Sequence, residues 1–301
     1  MTSELKSLFS TSVDHVEDLA WTGSHLVMAG ERGQIYLGDV DRGLVRKVTT
    51  TGGRGLGVAS AVDDGAIVCD PKRGQVTHVD LTNGRLTDLI PEGVVLQHAN
   101  SVALDSAGRI YVSDSGGWGT ADGRVIVLDI DGTASIQGDD FADFTNGIRV
   151  SPDDSCLYIV ESRFGLSRAA LNDGELGAKE IVAQLPGVVG DGLAFCADGT
   201  ILVACYQPNV ILRVDPRTGL VETVLRDDEG VQLILPTNVA FYGENLDSLA
   251  IANLGGRHIT TVNLGLWGAP VQATRISSPS IGSEFSPSRI REPRPQTGAS
   301  K

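Results

Sequence analysis

A motif of about 45 residues returns six times along this chain, and a repeat of that length leaves few folds open. Asn100-Ser-Val-Ala-Leu104 precedes a turn at Ser106-Ala-Gly108, followed by Arg109-Ile-Tyr-Val-Ser-Asp114. Asn146-Gly-Ile-Arg-Val150 precedes Ser151-Pro-Asp-Asp154 and then Cys156-Leu-Tyr-Ile-Val-Glu161. Asp191-Gly-Leu-Ala-Phe195 precedes Ala197-Asp-Gly199 and then Ile201-Leu-Val-Ala-Cys205. Weaker copies begin at Glu17, Leu56 and Thr237. Each unit continues with a third β-rich run, such as Arg124-Val-Ile-Val-Leu128 or Val210-Ile-Leu-Arg-Val214, and most add a fourth, such as Leu220-Val-Glu-Thr-Val-Leu225. Short apolar runs parted by Gly, Asp and Pro turns read as strands. Four strands at this period are the blades of a propeller. The chain is therefore expected to be an all-β, six-bladed β-propeller with four-stranded antiparallel blades around a central channel. One domain over residues 1–275 is expected. The sixth unit lacks a good fourth strand, and residues 5–13 could supply it and close the ring. Residues 276–301, rich in Ser, Pro and Arg, read as a loose tail.

Bulk properties narrow the partners. A formal net charge of −14 opposes binding to nucleic acid or an anionic membrane. No apolar run approaches ~18 residues, so no transmembrane helix is expected. The first residues lack the basic start and apolar core of a signal peptide. Cys69, Cys156, Cys196 and Cys205 lie in apolar runs, with no Cys-x-x-Cys pair and no histidine at zinc spacing. They read as small buried hydrophobes, and a cytoplasmic location is expected.

Blade topology turns the repeat into a site. The innermost strand of each blade begins at one mouth of the channel, so Glu17, Leu56, Asn100, Asn146, Asp191 and Thr237 ring that mouth. Asn-Gly and Asp-Gly are also turn signals, and a lone Asn or Asp before a strand often serves only the backbone. Here each unit already has its own hairpin turn. Two carboxylates and two amides at one repeat position, aimed at one axis, are hard to explain as turn chemistry. An all-oxygen set suits a hard divalent cation.

With these residues in place, the chain resembles the gluconolactonase / regucalcin-like (senescence marker protein) propeller family from about residue 10 to 270. Asn146-Gly-Ile-Arg-Val-Ser-Pro-Asp, Gly190-Asp-Gly-Leu-Ala-Phe, Leu235-Pro-Thr-Asn-Val-Ala-Phe and Ala252-Asn-Leu-Gly-Gly-Arg-His-Ile carry the resemblance, together with the ordered Glu, Asn, Asn, Asp set. The resemblance implies one divalent metal held by Glu17, Asn146 and Asp191, with Asn100 as a fourth ligand or a substrate contact. It implies calcium first, with magnesium, manganese or zinc as alternatives. It also implies a small lactone or ester as substrate and Asp191 as general base for its hydrolysis.

The chain departs from the pattern in places. Relatives often carry Arg two residues before the asparagine of blade three, where this chain has His98. His98 is therefore a candidate substrate contact, but gluconolactone itself is not implied. Diisopropyl fluorophosphatase-like propellers hold a second calcium with a histidine that His258 matches and an aspartate that Ala194 does not, so His258 is expected to make a structural hydrogen bond. The Asn146 blade also resembles metal-independent strictosidine synthase-like propellers, and a non-catalytic ligand-binding propeller stays open as well. Trp118, in a glycine-rich loop between Ser113 and Gly123, and Tyr206 are expected at the substrate rim, where specificity would reside.

Overall fold

The structure, a computed structural model, describes residues 4–62, 64–270 and 274, and the backbone of 290–291. It is a six-bladed β-propeller. Blade one runs Val16–Trp21, Leu26–Gly30, Gln34–Asp39 and Leu44–Thr50. Blade two runs Val58–Ala61, Gly65–Asp70, Gln75–Asp80 and Leu86–Asp88. Blade three runs Ala99–Leu104, Ile110–Asp114, Arg124–Leu128 and Ala134–Gln137. Blade four runs Thr145–Val150, Cys156–Glu161, Gly165–Asn172 and Glu180–Gln184. Blade five runs Val189–Phe195, Ile201–Gln207, Val210–Val214 and Val221–Arg226. Blade six has Pro236–Tyr242, Ser248–Asn253 and Thr260–Val262. Its fourth strand comes from the other end of the chain: Lys6–Ser7 pairs antiparallel with Thr260 and Thr261. Leu8 N and Val13 N then donate to Ile259 O and Arg257 O, which lashes the first segment along blade six before it enters blade one.

Every inner strand packs against the inner strands of both neighbours, so the ring is closed. The core is correspondingly divided. Each pair of adjacent blades holds its own apolar wedge, such as Ile67, Cys69 and Val76 of blade two against Ala99, Val102 and Val112 of blade three. Strand character follows from this. Gly65–Asp70 is buried along its whole length because both faces meet neighbouring blades. Leu44–Thr50, at the outer edge, is mostly exposed and correspondingly rich in Lys, Arg and Thr. The four cysteines are free, three of them buried and Cys156 half-buried. Among the described residues, no helix is long and apolar enough to cross a membrane. The expected tail lies outside the described residues, apart from Ile290–Arg291, which pairs in parallel with Ala134–Ser135 of blade three.

Candidate functional site in the channel mouth

Glu17, Asn100, Asn146, Asp191 and Thr237 line one small cavity on the channel axis. Local strand geometry explains why. The pairing of the inner strand shifts register at Glu17, around Asn100 and Asn146, around Asp191 and at Thr237. A bulge at the strand start turns a side chain out of the sheet's alternation. Here it turns the repeated polar position toward the axis. The next residue in each blade forms a second tier: Asp18, Gly57, Ser101, Gly147, Gly192 and Asn238. Glycine is required at some positions of this tier. A Cβ on Gly147 would lie 2.3 Å from Asp191 O, and one on Gly192 would lie 2.2 Å from Asn238 Oδ1. Bare backbone at these positions lets the neighbouring strand approach closely.

Two serines orient the amides. Asn100 Nδ2 donates to Ser115 Oγ at 3.0 Å, and Ser115 Oγ donates to Thr145 O at 2.6 Å. Asn146 Nδ2 donates to Ser162 Oγ at 3.0 Å, and Ser162 Oγ donates to Gly190 O at 2.7 Å. Each hydroxyl has given its proton to a carbonyl, so it can only accept from the amide. The amide nitrogen is thereby fixed outward and Oδ1 is left for the channel. Thr145 adjoins Asn146 and Gly190 adjoins Asp191, so the two relays tie three neighbouring site residues into one chain.

The carboxylates carry the electrostatics. Asp191 is 7% exposed, and burial, then the charges of Glu17 and Asp18, push its carboxyl well above the usual range. Burial also pushes Glu17 up to about 7, against the opposing pull of Arg54. The Glu17 residue as a whole is only partly covered, but its Oε2 is buried and has no hydrogen-bond partner. A buried, unsatisfied carboxylate oxygen costs more than ~1–3 kcal/mol. Among the described residues, no three histidine, cysteine or carboxylate side chains gather as a metal site. The donor set here is different: two carboxylates and two amide carbonyls. Those oxygens fit a hard divalent cation, whose charge would balance Glu17 and Asp191 and satisfy Oε2.

A polar floor closes the cavity below. Asp18 is 3% exposed and accepts from Leu19 N at 2.6 Å, Val58 N at 2.8 Å and Asn238 Nδ2. Arg149 Nη2 stands 3.7 Å from Asp18 Oδ1. Its charge partly offsets the burial that raises the Asp18 carboxyl. A larger cavity opens at the opposite mouth, lined by Leu19, Trp21, Phe195 and Phe241. It is the roomier of the two, and it lacks the Glu17 and Asp191 pair that lines the smaller cavity. His258 Nε2 lies 3.1 Å from Gln232 O, the structural role expected for it.

His98, Trp118 and Tyr206, expected at the substrate rim, are not among the residues that line the cavity. Backbone N–H groups of Gln97 and His98 donate to buried Asp114, at 3.1 and 2.5 Å, which sets the entry into the Asn100 strand. The His98 ring lies 6.0 Å from that of Phe144, and Trp118 meets Phe144 edge-on at 4.9 Å. Tyr206 lies in the second strand of blade five, one residue before its end. The carboxylates Asp191 and Glu17 reinforce the upward shift that burial gives its phenol.

The family model for the SMP-30/gluconolactonase/LRE-like region matches residues 23–254. The chain belongs to this family. A gluconolactonase from Xanthomonas campestris superposes with a TM-score of 0.72 at 20% identity, over 87% of this chain and 89% of that one. A luciferin-regenerating enzyme gives 0.74 at 15% identity, over 91% and 99%. A calcium-binding protein, regucalcin, from Agrobacterium tumefaciens gives 0.72 at 16% identity, over 91% and 97%. At these identities the likeness shows the fold. Comparison with curated protein sequences found no match.

This SMP-30/gluconolactonase-like propeller also has site residues that sequence reading passes over. Asp18 follows Glu17 and gives no separate signal. Ser115 and Ser162 each follow the acid that ends a second strand, a repeated position that could have been found by aligning those strand ends. Phe144 sits two residues before Asn146, as His98 does before Asn100. Arg54 lies in the segment entering blade two, pairs with Glu31 at 2.8 Å, and acts electrostatically on both Glu17 and His98.

Proposed function

We propose that this propeller is a divalent-cation-dependent lactonase, a carboxylic ester hydrolase. The observation that carries the reading is the buried pair Glu17 and Asp191, with one orphaned oxygen, beside two amides whose carbonyls are turned to the same axis. A scaffold has no use for such a pair. Glu17, Asn146 and Asp191 hold the cation, and Asn100 either completes the set or contacts the substrate. Calcium is the first candidate, since one similar structure is that of a calcium-binding protein. When bound, the cation supplies Lewis-acid polarisation of the ester carbonyl and offsets the charge that develops on its oxygen.

The chain's own residues do the rest. Asp191 takes a proton from the water that attacks the ester carbon and returns it to the ring oxygen as the C–O bond breaks. Asn100 and Asn146, held by Ser115 and Ser162, keep the pocket's dipoles fixed while the carbonyl passes through its tetrahedral stage. His98, Trp118 and Tyr206 receive the remainder of the lactone at the rim. The floor of Asp18, Arg149 and Asn238 bars solvent from the opposite mouth. The free cysteines fit a reducing, cytoplasmic setting. A pH-indicator assay over a lactone panel, run with calcium, magnesium, manganese and zinc in turn, tests the proposal. Cation-dependent acid release that chelation abolishes is the expected result. No turnover of any lactone with any of these ions would overturn it.

A further inference from the structure

The rim above the carboxylates has a character of its own. Trp118 is 54% exposed, one of the largest apolar side chains left open on the protein. It rests edge-on against Phe144, whose ring faces His98. The three rings form one aromatic wall, with His98 two places before Asn100 and Phe144 two places before Asn146. The wall is held in position. Phe144 takes a left-handed backbone conformation, φ 59°, which a bulky residue adopts only under constraint. Its carbonyl accepts from Ser162 N at 3.1 Å, and Ser162 is the residue that orients Asn146. The Trp118 loop is braced from within: Gly117 N donates to Asp122 at 3.0 Å and Thr120 Oγ1 donates to Gly117 O at 2.6 Å.

Outside the carboxylate and amide set, several polar groups around the same mouth are already engaged. Asp114 is taken by Arg124, Gln97 N and His98 N. Ser115 serves Asn100 and Thr145. Arg54 is paired with Glu31 through Nη2, with its Nε left unpartnered. A polyhydroxylated ring entering here would give up its water for few free partners, at a cost in affinity. An apolar chain would cover rings that are now in water.

From this we infer that the substrate is a lactone whose ring carries an alkyl chain, laid along Phe144 and Trp118, and not a sugar lactone. The inference rests on the lactonase reading for the ring, and on the aromatic wall alone for the chain.

Two measurements test it. The first is kcat/KM, with a saturating divalent cation, for unsubstituted δ-lactone, for its alkyl derivatives of two to six carbons, and for gluconolactone. Burial of each methylene should raise kcat/KM about three- to fourfold until the chain clears the rim. Trp118→Ala and Phe144→Gly should flatten that rise; glycine is chosen because it tolerates the left-handed backbone. The second is calorimetric binding of δ-alkyl lactams, which hydrolyse far more slowly, to the same proteins. Lactam affinity should rise with chain length in the parent and not in the two variants. A preference for gluconolactone, or lactam affinity independent of chain length, overturns the inference. Chain-dependent lactam binding without turnover of any lactone supports the apolar wall and defeats the lactonase reading instead.

Discussion

Ser162 accepts a hydrogen bond from Asn146 and donates one to Gly190 O, so one hydroxyl fixes both an amide at the channel axis and the backbone beside Asp191. A group placed this way acts through its neighbours and touches no substrate. Ser162→Ala should lower cation affinity about 10–100-fold, the usual effect of losing a group that orients a ligand. Asn146→Ala and the double variant complete a cycle. The two losses should overlap strongly in calcium titrations followed by calorimetry. Losses that simply add would show that Ser162 does not act through Asn146.

Asp191→Asn separates holding the cation from taking the proton. Asparagine keeps one coordinating oxygen and loses the base. Cation affinity should fall, and higher cation concentration should restore occupancy. Turnover should stay ~10²–10⁴-fold below the parent. Recovery to near the parent rate at full occupancy would remove Asp191 as the base.

Glu17 makes a prediction of opposite sign in the absence of cation. Its buried carboxylate, with Oε2 unsatisfied, is a strain on the metal-free protein. Glu17→Gln keeps the shape and removes the charge, so the chelated variant should melt above the chelated parent. Calcium at a hundredfold excess over Kd should stabilise the parent by about 2.7 kcal/mol and the variant far less. Differential scanning fluorimetry with and without chelator reads both. A chelated variant that melts lower than the parent would show that the Glu17 charge is satisfied by the protein.

Away from the site, Glu161 ends the second strand of blade four with its side chain fully buried, and it is paired with Lys179 Nζ at 2.7 Å and Ser167 Oγ at 2.7 Å. Lys179→Met leaves that carboxylate without its counter-charge. Breaking a buried pair in this way costs about 3–5 kcal/mol. Urea unfolding should show that loss, and adding Glu161→Gln should recover part of it. A Lys179→Met protein within about 1 kcal/mol of the parent would show that Ser167 and the backbone suffice for Glu161.

Glu17 and Asp18 show where the amino-acid sequence is sufficient and where it is not. The blades were legible because each is a local object: its apolar runs and turns lie within about 45 consecutive residues. Glu17, Asn100, Asn146 and Asp191 were legible too, because one repeat position projects onto one axis. Nothing in the order of residues says that Glu17 lies with Asp191 in the upper cavity while its neighbour Asp18 turns to Val58 N and Arg149. The register shift between Val16 and Asp18 decides it. The Ser115 and Ser162 relays, the Phe144 wall and the reach of Arg54 toward Glu17 and His98 likewise join residues of different blades. Tyr206 lies in a strand because pairing with blade five's first strand extends to Gln207. Periodicity is set along the chain by local physics. Which side chains meet across the channel is set by how the closed ring packs, and only the tertiary structure contains that packing.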